Sequence, residues 1–256
     1  VQIHGYDYLK TEWRVSLCSY AIADHGYEED DFLLGFAEST FRQGKYSDVM
    51  LIYLCKYFNG PTKQMAELWK AAGEFQIDTF DLEERILTQM LYTTDYTPHM
   101  EEIYESYCAG GGRDLVCMAY LSYFANMYLT EDAVVPEHVF RQIRKRYLTG
   151  GDLNRVCRIA LLKYLSENHL SERDRKIADE LLDTCIRHNL YFAFFRKFDE
   201  KLLRKYQLTD KFFLEYHTAP GQQIEVHYRL EAQQEYLADE LTEMYDGIYV
   251  KDFILF

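Results

Sequence analysis

Two pairs of glutamate and histidine residues are the side chains in this sequence best suited to proton transfer or metal binding. Glu215 and His217 lie two residues apart, as do Glu225 and His227, and alternating apolar residues predict a strand at each place. On neighbouring strands these residues could form an acid–base couple, and His217 and His227 could supply half of a metal site. All four fall on polar strand faces and no third ligand is indicated, so a solvated surface is the favoured interpretation.

The six cysteines form no recognisable metal or redox motif. They are scattered along predicted helices, with neither a Cys-x-x-Cys pair nor zinc-ligand spacing: Cys18, Cys55, Cys108, Cys117, Cys157 and Cys185. Free cysteine behaves as a small apolar side chain, and unpatterned cysteines are typical of a reducing compartment. The sequence therefore predicts buried, reduced cysteines, a cytoplasmic location and no cofactor.

No stretch has the spacing of a known catalytic motif. The chain contains neither the nucleophile motif G-x-S-x-G nor the zinc motif H-E-x-x-H. The glycines at 110–112 are not followed by the lysine and hydroxyl residue that a phosphate-binding loop requires. We therefore expect a protein that is not an enzyme.

The charge balance restricts the class of partner. The 256 residues carry 42 acidic and 28 basic side chains, for a formal net charge of −14. Nucleic acids and anionic membrane surfaces attract proteins through a positive field, so both are disfavoured as partners. No stretch has the length and apolarity of a membrane span or signal peptide. The start at Val1 and the apolar end favour a fragment of a longer protein.

The elements that would position any site are helices, and the clearest pair lies between Asp30 and Pro61. Apolar residues recur at three- and four-residue steps on both sides of a turn at 43–45, which predicts two antiparallel amphipathic helices. Gly44 can adopt the left-handed backbone that ends a helix, so we expect a positive φ there. Ser47 and Asp48 offer side-chain oxygens to cap the second helix.

This segment resembles a tetratricopeptide-type repeat, in which two antiparallel helices nest and stack on the next pair. The resemblance depends on eight residues and their spacing: Phe36, Ala37, Phe41, Gly44, Tyr46, Val49, Tyr53 and Pro61. Three positions depart from the family pattern, since Leu33 replaces tryptophan, Ala37 replaces glycine and Lys56 replaces a small residue. The resemblance implies a superhelical array whose inner surface, formed by the first helices of the pairs, binds extended peptides.

Weaker copies of this pattern extend through most of the chain. Gly44, Gly111 and Gly151 each precede a valine by five residues, and the first interval is close to two repeats of about 34 residues. Chance similarity between amphipathic helices is the alternative explanation. After a first helix at 7–24, we predict helix pairs at 30–43/46–58, 62–76/80–93, 97–109/113–129, 135–148/152–168 and 171–188/190–206.

Near residue 208 the hydrophobic period changes from that of a helix to that of a strand. Strands are predicted at 212–218 and 224–230, and Ala219–Gln222 predicts a turn that joins them as a hairpin. Gln234–Tyr245 is interpreted as a short helix or lid before a third strand at 248–256. The predicted fold is mainly α, with stacked antiparallel helix pairs in a domain at 1–207 and a partial β-domain at 208–256.

Two functions of different classes fit these observations. The favoured hypothesis is a non-catalytic protein- or peptide-binding scaffold module with a net positive partner, as part of a larger protein. The chain also resembles large multidomain bacterial proteins with helical-repeat and β regions in series, which implies no activity. The alternative is an α/α-toroid carbohydrate-active enzyme, a glycoside hydrolase or lyase, favoured by paired helices, acidity and abundant aromatic residues. Side chains that helix stacking does not need form the predicted binding face: Glu38, Arg42, Glu67, Lys70, Glu102 and Tyr104.

Overall fold

The structure is a computed structural model that describes residues 10–93, 98–130 and 137–254. These residues form eleven α-helices, one 3-10 helix and five strands, which confirms the predicted mainly α fold with a small β region at the end. The chain divides into two compact units, Val1–Tyr120 and Leu121–Phe256. Among the helices of the described residues, none is both long enough and apolar enough to cross a lipid bilayer.

Helices follow one another at short intervals in the first unit. Each of α1 to α5 packs against the next helix, and α3 also packs against α1 and α5. Because short connections join packed neighbours, successive helices run in opposite directions. Their bounds are α1 Thr11–Asp24, α2 Asp31–Phe41, α3 Asp48–Tyr57, α4 Thr62–Glu74, α5 Phe80–Met90, α6 Met100–Ala109 and, continuing into the second unit, α7 Asp114–Thr130.

Local hydrogen bonds explain where the α2–α3 pair begins. The Asp30 side chain accepts a hydrogen bond from the Leu33 amide at 2.8 Å, and the Ser47 hydroxyl accepts one from the Met50 amide at 3.2 Å. Ser47 is therefore a helix cap, as predicted. Tyr53 is fully buried, and its hydroxyl accepts a hydrogen bond from the Asp30 amide at 2.9 Å, which fixes α3 to the start of α2.

The turn between α2 and α3 depends on Gly44, whose φ of +71° confirms the predicted left-handed backbone. A Cβ placed there would meet no atom within 4 Å, so a substitution has only backbone strain to overcome. We expect Gly44→Val to lower the free energy of unfolding by more than about 1 kcal/mol, and Gly44→Asn by less, because asparagine tolerates this region. Denaturant titration of both variants checks this, and a valine variant as stable as the parent would contradict it.

The helices of the second unit continue the pattern until residue 187. They are α8 Glu137–Leu148, α9 Arg155–Glu167 and α10 Glu172–Arg187, and α9 packs against both neighbours. The Ser171 hydroxyl accepts a hydrogen bond from the Asp174 amide at 3.1 Å and so caps the start of α10. The predicted pairs 97–109/113–129 and 135–148/152–168 correspond to α6/α7 and α8/α9, apart from 97 and 135–136, which lie outside the described residues.

The predicted helix at 190–206 is wrong. In its place stand a 3-10 helix, η1 Ala193–Lys197, and a six-residue helix, α11 Glu200–Lys205. Phe192 and Phe198 have extended backbones on either side of η1, and both rings are buried together with Phe194 and Phe195. The spacing of these four rings is helical, which explains the prediction, but the extended backbones at Phe192 and Phe198 interrupt the helix. The Asp199 side chain then caps α11 through the Leu202 amide at 3.1 Å.

The strands form two small antiparallel sheets, and the predicted hairpin between 212–218 and 224–230 is wrong. β1 pairs along its whole length with β5, whereas β2 pairs with β3. β5 has seven residues available for pairing, and its first three are buried. β2 has only four residues, and none of them is buried. The region 234–245 forms strands rather than the predicted helix or lid. The strands are β1 Lys211–His217, β2 Glu225–Tyr228, β3 Leu237–Glu240, β4 Thr242–Tyr245 and β5 Ile248–Ile254, in the sheet orders β1-β5-β4 and β2-β3.

Tyrosine hydroxyls bond to carboxylates on neighbouring helices in both units. Tyr107 of α6 donates to Glu84 of α5, and Arg113 pairs with the same carboxylate. The hydrogen bond from Tyr107 is the largest cause that lowers the pKa of the Glu84 carboxyl, and the hydrogen bond from Arg113 acts in the same direction. In the second unit the Tyr147 hydroxyl donates to Glu180 at 2.7 Å. Tyr107 is fully buried and Tyr147 is half-buried, and both use their hydroxyls to fix the packing of the helices.

The prediction that all six cysteines are reduced is wrong for two of them. Cys108 near the end of α6 and Cys117 in the first turns of α7 form a disulfide, with their Cα atoms 6.8 Å apart. The link spans the glycine-rich turn at 110–112. The other four cysteines are free and buried, as expected: Cys18, Cys55, Cys157 and Cys185.

Candidate functional site

A groove in the first unit brings together four of the six residues predicted for the binding face. It lies between α2 and α4, has a volume of about 290 Å³, and is called here the α2–α4 groove. The turn at Gly44 and the end of α3 also line it. The predicted residues that line it are Glu38, Arg42, Glu67 and Lys70.

The α4 side of the groove is a charged helix face. Glu67, Lys70 and Glu74 are exposed and recur at three- and four-residue steps, which places them along one side of the helix. The described residues supply no ion-pair partner for Glu67 or Glu74. Both carboxylates are therefore available to a positively charged ligand.

The α2 side of the groove has its charges already paired. Arg42 forms an ion pair with Glu38 one turn earlier and donates a hydrogen bond to the Gln64 side chain of α4 at 3.2 Å. The Arg42–Gln64 contact links the two helices across the groove. Because the positive charge of Arg42 is offset by Glu38, the electrostatic character of the rim depends mostly on the α4 side chains.

The floor of the groove is apolar and partly aromatic. Phe41 and Tyr46 are half-buried with ring centres 5.3 Å apart, and Tyr46 also meets the ring of Phe75 edge-on at 6.1 Å. Leu68 and Ala71 of α4 are buried and also line the groove. Such a surface can receive one apolar or aromatic side chain of a ligand, while the carboxylates on the rim contact its cationic groups.

The two remaining predicted residues, Glu102 and Tyr104 of α6, do not line this groove. Glu102 is exposed and lies 3.2 Å from the imidazole of His99. Tyr104 is buried, with its ring stacked on that of Tyr120 at a centroid distance of 4.3 Å. Its ring therefore belongs to the core of the first unit rather than to an open surface.

The glutamate and histidine residues of the β region do not assemble into one cluster through strand pairing. His217 lies opposite Ile248 and His227 lies opposite Ala238, on different sheets. Each histidine contacts the glutamate of its own strand, at 2.7 Å for Glu215 and 3.5 Å for Glu225. In the part of the chain that the structure describes, no group of three or more His, Cys, Asp or Glu residues could hold a metal ion.

Several groove residues were not among those predicted. Glu74 could have been found, because it lies one turn after Lys70 on the same helix face. Tyr46 and Phe58 were harder to identify as groove residues, since their aromatic character fits helix stacking equally well. Phe58 is buried, and it lines the groove.

Comparison with known proteins gives a family without an assigned activity. Residues 30–256 match the family described as "Family of unknown function (DUF5717) C-terminal". Searches of curated proteins and of solved structures each found no match. The family match covers all five strands and every helix except α1, together with the α2–α4 groove. The chain therefore belongs to this family of unknown function.

Proposed function

We propose that the chain is a non-catalytic peptide- or protein-binding module and that the α2–α4 groove is its binding site. The observation that carries this proposal is the combination of an apolar floor with two unpaired carboxylates, Glu67 and Glu74, in one groove. We further propose that α2–α5 are two pairs of a tetratricopeptide-like array. In that interpretation α2 and α4 are the first helices of successive pairs, which form the inner surface.

The charge of the rim defines the ligand. Three carboxylates and two basic side chains line the groove, and Arg42 is already paired with Glu38. The chain as a whole carries a net charge of −14, so a positively charged peptide is attracted both at long range and at the rim. The proposed ligand is an extended peptide with lysine or arginine beside one aromatic or large aliphatic residue.

Selection from a displayed library of random peptides tests this proposal. We expect the purified chain to enrich peptides with basic and aromatic residues, and their affinity to fall as salt screens the exposed charges. In the double variant Glu67→Lys/Glu74→Lys the dissociation constant of an enriched peptide, followed by fluorescence anisotropy, should rise about ten-fold.

A matched control separates the groove from the overall charge. The double variant Glu231→Lys/Glu235→Lys makes the same change in net charge at two exposed carboxylates before β3 that are not part of the groove lining, and it should leave affinity nearly unchanged. Enrichment of acidic peptides, or equal weakening by the control variant, would contradict the proposal. Hydrolysis of a glycan panel by the parent protein would instead favour the carbohydrate-active enzyme.

A further inference from the structure

A second pocket, independent of the α2–α4 groove, lies between α9 and α10 in the second unit. Its volume is about 450 Å³, within the usual range of about 300–1,000 Å³ for small-molecule sites. Buried Leu153, Ile159 and Leu181 form its apolar wall. We call it the α9–α10 pocket.

The polar side chains of this pocket are all donors or potential cations. Arg155, Arg158 and His188 line it, and no carboxylate does, although the chain as a whole is strongly acidic. Of the acids on α10 next to it, Asp183 pairs with Arg187, and Glu180, which accepts the Tyr147 hydroxyl at 2.7 Å, does not line the pocket. The pocket is therefore a local positive region.

The donors that face this region are not used up by the protein. The described residues provide no ion-pair partner for Arg158. Arg155 donates to the Met244 carbonyl oxygen and its guanidinium lies over the Tyr245 ring at 6.0 Å, but a guanidinium has five N–H donors. His188 donates from Nδ1 to the Thr184 carbonyl oxygen at 2.7 Å, so its Nε2 can donate to an anion only when the imidazole is protonated.

The thiol of Cys185 adds to the apolar wall. It is buried and lines the pocket one turn after Leu181 on α10. Burial raises the pKa of this thiol to about 11, even though Arg155 acts in the opposite direction. The thiol is therefore uncharged at neutral pH. It does not compete with an anionic ligand for the two arginines.

We propose that the α9–α10 pocket binds a small organic anion with an apolar body, such as a medium-chain carboxylate. The carboxylate accepts charge-assisted hydrogen bonds from Arg158 and Arg155, and two guanidinium groups can bind it through paired donors. The alkyl chain contacts Leu153, Ile159 and Leu181, where it is removed from water. Both parts are required, because the pocket combines a cationic rim with an apolar wall.

Calorimetric titration with decanoate tests this inference on the full chain. Decanoate should bind, whereas decanamide, which has the same chain without the charge, and inorganic phosphate, which has charge without the chain, should bind at least about ten-fold more weakly. Arg158→Glu should weaken decanoate binding by about ten-fold or more. Arg173→Glu is the matched control, because it reverses an exposed arginine of α10 outside the pocket lining.

The outcomes separate clearly. Loss of affinity in Arg158→Glu but not in Arg173→Glu supports the site, provided that circular dichroism shows both variants to be folded. If Arg158→Glu does not fold, Arg158→Gln serves as the second variant with the same expected direction. Absence of decanoate binding, equal binding of decanamide or phosphate, or equal effects of the two reversals would each overturn the inference.

Discussion

Replacing Tyr249 with alanine is expected to lower the free energy of unfolding by about 3–5 kcal/mol. Tyr249 lies on β5, the central strand of its sheet, and only 1% of it is exposed. Its hydroxyl accepts a hydrogen bond from the Gln222 amide at 2.7 Å and donates to the Ala219 carbonyl oxygen at 3.2 Å. Alanine therefore leaves a cavity beneath the sheet and releases the loop that follows β1. Denaturant titration followed by far-ultraviolet circular dichroism measures the change.

Two further variants divide this effect into its parts. Tyr249→Phe keeps the ring and removes both hydroxyl bonds, so it should cost only about 1 kcal/mol. Tyr216→Ala removes the ring directly opposite on β1, which is 52% exposed, and should cost less than about 1 kcal/mol. Hydrogen exchange should accelerate in β1 and β5 of the alanine variant. A Tyr249→Ala protein with the stability of Tyr216→Ala would show that the ring is not a core residue.

The pairing of the β strands illustrates what local sequence patterns omit. Alternation of apolar residues correctly predicted strands at β1, β2 and β5, because side chains alternate between faces along any strand. Which strand pairs with which depends on contacts between residues distant in sequence. β1 pairs with β5, although three other strands lie between them in the chain. The Pro220–Gly221 turn looked like a hairpin turn, but its backbone is held by Tyr249 and by Glu243.

The helices were easier to predict because their signals are local. The α2–α3 pair follows from apolar periodicity, the Ser47 cap and the left-handed Gly44, all within one short segment. Part of the charged rim of the groove could also be predicted from sequence, since Glu67 and Lys70 lie outside the apolar stripe of α4. Tyr104 could not be placed in the same way, because its burial depends on Tyr120 of the following helix.

The disulfide between Cys108 and Cys117 leads to the second large effect, on the stability of the α6–α7 pair. The link closes a loop with a sequence separation of 9, and a cross-link of this length restricts the unfolded chain enough to stabilise the fold by about 2–3 kcal/mol. We therefore expect the double variant Cys108→Ser/Cys117→Ser to lose about this amount under oxidising conditions. Denaturant titration with and without dithiothreitol measures it.

Dithiothreitol supplies the control within the same experiment. It should destabilise the parent towards the level of the double variant, and it should leave the variant unchanged, because the remaining cysteines are free and buried. Thiol titration of the unfolded, unreduced protein should find four reactive groups, and reduction should raise this to the six cysteines of the sequence. Six reactive thiols without reduction would contradict the disulfide and support the reduced, cytoplasmic state predicted from the cysteine pattern. Four would count against that location, since structural disulfides persist in oxidising compartments.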